Sequence, residues 1–187
     1  MGEERLMLWK TNLKNRWVLW LCCLLLGSCQ VHLDDYQGTQ PKLDLKQFFT
    51  GKLKAYGMVQ NRSGEVTRHF TADLVGTWKG DEGVLDEVFY FNDGEVQTRV
   101  WRLTQQPDGS YVGTAGDVIG QAEGGHQGFA FHWNYTLAVN VDDAIWHIDM
   151  DDWMYMITPN RLINQTQMSK WGIHVGQVSL VIEKKTQ

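Results

Sequence analysis

The sequence predicts an all-β protein: an antiparallel up-and-down β-barrel of about nine or ten strands with a short N-terminal helix. Three observations carry this. First, Phe129, Phe131, Trp133, Tyr135, Leu137 and Val139 alternate strictly with Ala130, His132, Asn134, Thr136 and Ala138, the period of a strand with one buried face. Second, turn signals recur at short intervals: Asn61-Arg62-Ser63-Gly64, Gly80-Asp81-Glu82-Gly83, Asn92-Asp93-Gly94, Pro107-Asp108-Gly109, Val141-Asp142-Asp143 and Pro159-Asn160. Third, no helical period is sustained beyond residue 50, and successive strands joined by short hairpins close most simply into a barrel.

The elements follow in order. Residues 1–28 carry the basic residues Lys10, Lys14 and Arg16, then an apolar run from Trp17 to Leu26, then small residues before Cys29. That is the layout of a secretory signal, and the run is shorter than the roughly 18 residues of a membrane span. Leu26-Gly27-Ser28-Cys29 resembles the bacterial lipobox. The resemblance implies cleavage before Cys29, a diacylglycerol on its thiol and acylation of the new amine. An ordinary cleaved signal and an uncleaved anchor are the alternatives. Several acyl chains on one residue anchor a protein firmly, because each buried CH₂ contributes about 0.8 kcal/mol. Gln30, rather than Asp, after the Cys favours the outer membrane of a Gram-negative cell, facing the periplasm.

Cys22 and Cys23 leave with the signal, so Cys29 is the one thiol of the mature chain and no internal disulfide can form. The full chain has formal net charge -5. Removing Lys10, Lys14, Arg16 and Arg5 against Glu3 and Glu4 makes it more acidic still. A scattered, acidic balance excludes a protein that tracks nucleic-acid backbones. Residues 29–43 read as the lipidated Cys and a polar tether, and 44–187 as a single barrel domain. Asp44 before Leu45-Lys46-Gln47-Phe48 is an N-cap before about one helical turn. Glycines 113, 116, 120, 124, 125 and 128 crowd the middle of the chain and predict short, kinked strands with bulges.

Within His147–Tyr155 the alternation puts Trp146, Ile148, Met150, Asp152 and Met154 on one face, the more apolar and therefore the inner one. Asp152 is then an inward carboxylate that needs a partner or a raised pKa. Arg99, Arg102 and Lys170 are the candidate partners, and a structural ion pair is the plainer reading. Asp81-Glu82 and Asp86-Glu87 are paired carboxylates that read most simply as solvated turns. The histidines at 32, 69, 126, 132, 147 and 174 lack zinc spacing and a Cys companion, which leaves only a scattered site from His132, His147 and His174 open. No nucleophile elbow, phosphate loop or dinucleotide fingerprint is present, so the sequence names no catalytic residue and no cofactor. Trp78, Trp101, Trp133, Trp146, Trp153 and Trp171 fall on different strands or their edges. They suit either a packed core or the wall of an apolar cavity.

Asp151-Asp152-Trp153-Met154-Tyr155, Met168-Ser169-Lys170-Trp171-Gly172-Ile173, Phe48-Phe49-Thr50-Gly51, Gly76-Thr77-Trp78, Leu85-Asp86-Glu87 and Arg99-Val100-Trp101 together resemble a proteobacterial lipoprotein family, domain of unknown function 3833. The resemblance implies no catalytic residues. Gly76-Thr77-Trp78 also resembles the GxW of the lipocalins, and a short helix capping a barrel is their habit, so a calycin-like architecture is implied. The expectation for function is an apolar or amphipathic ligand, such as a fatty acid or lipid, held inside the barrel. Trp78, Trp101, Trp133, Trp146 and Met154 would line it, with Asp152 and Arg99 or Lys170 at its polar end. A lipid-acting isomerase or hydrolase, and a solid barrel that docks an envelope protein, are the alternatives. Alternation encodes which way a side chain faces and cannot separate a hollow barrel from a filled one.

Overall fold

The computed structural model describes residues 31–141 and 144–185. The signal and Cys29 lie outside the described residues. Every element belongs to the compact unit Leu33–Gln187.

Ten antiparallel strands close into a barrel among the described residues. They are β1 (Gly51–Asn61), β2 (Val66–Lys79), β3 (Glu82–Phe91), β4 (Val96–Gln105), β5 (Tyr111–Thr114), β6 (Val118–Gln127), β7 (Ala130–Val141), β8 (Ala144–Thr158), β9 (Arg161–Lys170) and β10 (Ile173–Lys184). Each pairs with its sequence neighbour, and β1 closes the ring on β10 through pairs such as Ala55↔Ile182. Among the described residues no strand is left with a wholly open edge, which removes the template for edge-to-edge aggregation. The alternation read in the sequence is the inside–outside alternation of the barrel: Leu53, Ala55, Ala72, Leu74, Trp133 and Leu162 are buried inward.

The Gly-rich middle is the irregular part of the wall. β5 has only four residues, and β6 shifts register between Ile119 and Glu123.

One end of the barrel is stoppered. Asp44 accepts a hydrogen bond from the Gln47 backbone N–H at 2.9 Å and starts a single helical turn, α1 (Leu45–Phe48). Leu43, Leu45, Phe48 and Phe49 are all buried beneath the strands. The close approach depends on Gly76, where a Cβ would lie 1.6 Å from the Phe49 carbonyl oxygen.

The stretch read as a polar tether makes contacts with the barrel. From Leu33 onward it is packed on the barrel: Leu33–Tyr36 forms a 3-10 turn, and the Leu43 N–H donates to the Gly128 carbonyl at 2.8 Å. The Tyr36 ring sits 5.3 Å from Phe129, 5.7 Å from Tyr155 and 5.9 Å from Trp153, covering the turn before β7 and outward aromatics of β8. Polar composition hid this, because the contacts come from scattered residues such as Tyr36, Thr39 and Leu43, and a four-residue turn shows no period.

Candidate functional site

The barrel is hollow. Its interior holds a cavity of about 890 Å³, within the few-hundred to thousand Å³ of small-molecule sites. The stopper closes one end through Leu45 and Phe49. Two aromatic walls face the space. On one, Phe70 lies 5.6 Å from Phe89 and 5.3 Å from Phe91. On the other, Trp101 lies 5.9 Å from Trp133 and 5.3 Å from Tyr135, edge to face. Two close approaches seat Trp133. Its ring covers Gly113 and Gly124, where a Cβ would meet indole carbons at 2.9 and 2.7 Å.

A polar cluster interrupts the apolar lining. Glu87 comes from β3, Arg99 from β4, Asp117 from the turn before β6, Tyr135 from β7, Asp152 from β8, and Asn164 and Thr166 from β9. Arg99 closes its fork on Asp117, with Nη2 2.7 Å from Oδ2 and Nε 3.1 Å from Oδ1. Burial opposes the Arg99 charge, but Asp117 and Glu87 outweigh it and raise its pKa. Asp152 is buried, and accepts from Asn164 Nδ2 and, at 3.4 Å, from Tyr135 Oη. Burial pushes its carboxyl up to about 6, against the pull of Asn164, Thr166 and Tyr135. Glu87 borders the cavity and is half-buried by surface, yet protein encloses it deeply. Burial, then the charges of Asp117 and Asp152, push it up to about 7, while Arg99 and a hydrogen bond from Trp101 oppose the rise. Burial and the Asp152 charge also raise Tyr135. The arrangement offers carboxyl groups that exchange protons near neutral pH, set among aromatic faces.

Of the residues expected to line a cavity, Arg99, Trp101, Trp133, Asp152 and Met154 are brought together there. Trp78 instead packs half-buried against Tyr111, 6.3 Å away, with the Lys46 ammonium 5.9 Å above it. Trp146 and Lys170 sit at the rim, with Lys170 Nζ 3.2 Å from the Trp146 ring centroid. Trp146 has the inward parity, but β8 runs 15 residues and its first four, Ala144 to His147, project beyond the interior into solvent. Lys170 is likewise the last residue of β9. The partner of Asp152 also differs: it is hydrogen-bonded by Tyr135 and Asn164, while Arg99 is engaged by Asp117 and Arg102 is exposed.

Sequence reading missed Glu87, Asp117, Tyr135, Asn164 and Thr166 as site residues. Parity with Leu85 and Phe89 would have turned Glu87 inward, and parity with Leu162 would have done so for Asn164 and Thr166. Nothing around Asp117 signals its role, because a turn residue has no period. Among the described residues no three His, Cys, Asp or Glu side chains converge on a metal site. His132 lies on the outer face, its Nε2 2.5 Å from Asp151 and its ring stacked 4.0 Å from Trp153.

The family described as "Protein of unknown function (DUF3833)" matches residues 22–184. The chain belongs to the DUF3833 family. No curated protein matches this DUF3833 chain in sequence. Its fold is similar to that of an S-type phycobiliprotein lyase from Guillardia theta, with TM-score 0.57 and 11% identity over 78% of this chain and 95% of that one. It is also similar to a protein of unknown function from the DUF3598 family of Nostoc punctiforme, with TM-score 0.53 and 11% identity over 78% of this chain and 51% of that one. At such identity these likenesses establish the architecture alone, a lipocalin-like barrel.

Proposed function

We propose that this DUF3833 protein is a binding barrel that holds one apolar or amphipathic molecule of lipid type in its interior, tethered to the bacterial envelope through a lipidated Cys29. The cavity of about 890 Å³ carries the reading: it is walled largely by aromatic and aliphatic side chains, interrupted by the polar cluster around Glu87 and Asp152 and by Arg68, Glu95 and Gln97. Burying about 350 Å² of acyl chain contributes on the order of 9 kcal/mol at 25 cal/mol per Å². Part of that is lost to ordering the chain, and micromolar binding remains within reach. The likeness to a protein named as a phycobiliprotein lyase is in keeping with a barrel that handles a bound group. The lipobox resemblance supports the anchor and its placement at the outer membrane, facing the periplasm.

Native mass spectrometry of residues 30–187, freshly purified from a Gram-negative host, tests the cargo. This segment contains every element and the whole described core. The expected result is protein carrying an added lipid-sized mass, or taking one up from added amphiphiles of a dozen or so carbons. Bare protein that takes up none of them would overturn the reading. In the same host, labelled palmitate should mark the full chain and not its Cys29→Ser variant.

A second reading, a lipid-acting isomerase or hydrolase, is favoured by one observation: Glu87 is pushed up to about 7 inside the cavity, where a general acid–base operates best. It requires that bound lipid be converted on incubation and that Glu87→Gln stop the conversion. Recovery of unaltered lipid would exclude it.

A further inference from the structure

The cations at the cavity wall are already ion-paired, although the buried Arg68 Nε has no aligned hydrogen bond. Arg99 is held by Asp117, and Arg68 lies 2.8 Å from Asp93 and 2.7 Å from Glu95, with its guanidinium stacked 3.7 Å over Phe91. Among the described residues no lysine lines the cavity. The carboxylates are not matched in the same way. Glu87 stands opposite Arg99 in the β3–β4 register, yet the Arg99 fork closes on Asp117 instead. The Trp101 side chain offers Glu87 a donor, and a carboxylate can accept about four hydrogen bonds. Asp152 lies near enough for its charge to act on Glu87.

A ligand's polar end would therefore meet acceptors and negative charge. A carboxylate head would find no cation among the described lining residues that is not already ion-paired. It would also be repelled by Glu87 and Asp152, by about 3 kcal/mol for one charge pair roughly 6 Å apart at an effective dielectric of about 20. A protonated amine would donate to the Glu87 carboxylate. It would also face the rings of Trp101 and Tyr135, whose quadrupoles favour cations.

Resting on the binding reading above, we infer that the cavity selects amphiphiles whose polar end is a protonated amine, taken by Glu87 with Asp152 beside it, and discriminates against chains that end in a carboxylate, free fatty acids included.

The test compares three probes of one chain length: dodecylamine, dodecanol and dodecanoate. Each is titrated into residues 30–187 at about pH 8 and physiological salt, following tryptophan fluorescence, to which the cavity residues Trp101 and Trp133 contribute, and confirming stoichiometry by native mass spectrometry. The expected order is amine, then alcohol, then carboxylate, with the amine at least about tenfold tighter than the carboxylate. Glu87→Gln should collapse the preference for amine over alcohol. Dodecanoate binding as tightly as the amine would overturn the inference. So would an amine preference that persists in Glu87→Gln/Asp152→Asn, because that marks adsorption to the acidic exterior. If a variant fails to fold, dodecanoate binding the parent as tightly as the amine still overturns the inference, and amine uptake beyond one per protein in native mass spectrometry, the mark of exterior adsorption, overturns it too. Entry of alcohol and carboxylate without amine defeats amine selection alone, whereas entry of none defeats the binding reading as well.

Discussion

Glu87 and Asp152 set a pH dependence that runs opposite to that of most carboxylates. Both are pushed up, to about 7 and about 6, chiefly by burial. Between their ordinary range and those values the folded state holds protons that the unfolded chain releases. Stability of the empty barrel therefore falls as pH rises through this window, and the penalty is complete above about 7. His126 opposes this, since burial lowers its pKa and so favours the folded state as pH rises through the usual histidine range. The lowered carboxyls Asp73, Asp93, Glu95 and Asp108 act only at more acidic pH. Comparing variants isolates the cavity groups. Glu87→Gln should be more stable than the parent at about pH 8, on the order of 1–2 kcal/mol, with the gap closing towards about pH 4.5. Thermal unfolding at a series of pH values checks this, and a gap that does not change with pH would show that Glu87 is not enclosed. Glu87 was legible in part. Its apolar neighbours at two-residue spacing turn it inward, but Asp86 beside it and the cost of burying a carboxylate make a solvated turn the natural reading.

The stopper is the element where sequence and structure meet most closely. Asp44 ahead of Leu45 and Phe48 announces a capped turn, and the cap is present with the expected donor, Gln47. Gly76-Thr77-Trp78 carried less in sequence than in structure. Its glycine marks the place where the Phe49 backbone crosses β2, and no string of residues shows that crossing. Gly76→Ala must push either α1 or β2 aside, because the Phe49 carbonyl cannot be moved as a side-chain end can. We expect a loss of about 2–4 kcal/mol in chemical denaturation. Gly116→Ala, with no atom within 4 Å of its added Cβ, should stay within about 1 kcal/mol of the parent. Equal losses at the two sites would show that the stopper does not depend on this contact. The β5–β6 segment was legible only as irregularity. Glycine spacing announced bulges but not where the register shifts, since that is set by the partner strand.

At the scale of the whole molecule, strand number decides what alternation cannot. About eight strands enclose a space that side chains just fill, and width grows with each added strand. Ten strands leave room, and the large residues Trp101, Trp133, Phe70 and Phe89 line that room rather than fill it. The wall around it is uneven. β7 and β8 pair along the whole of Ala130–Val141, whereas β5 pairs with β4 over Tyr111–Thr114 and with β6 only over Tyr111–Gly113. Short pairing means that few ladder bonds must break for local opening. The same seam leads into Gly116 and Asp117, which line the cavity, and Asp117 ties the seam to Arg99 on β4. Ligand passage and local opening should therefore share one place. In hydrogen exchange, amides of Tyr111–Thr114 should exchange well ahead of those in Ala130–Val141. Loading the cavity with a tight amphiphile should slow exchange at β5 and the following turn more than at β7 or β8. Asp117→Asn, which weakens the tie to Arg99, should speed exchange at the seam and shorten the ligand's residence time. If β5 proves as protected as β7, or if loading slows exchange evenly around the ring, the wall opens elsewhere, and the stoppered end becomes the place to look.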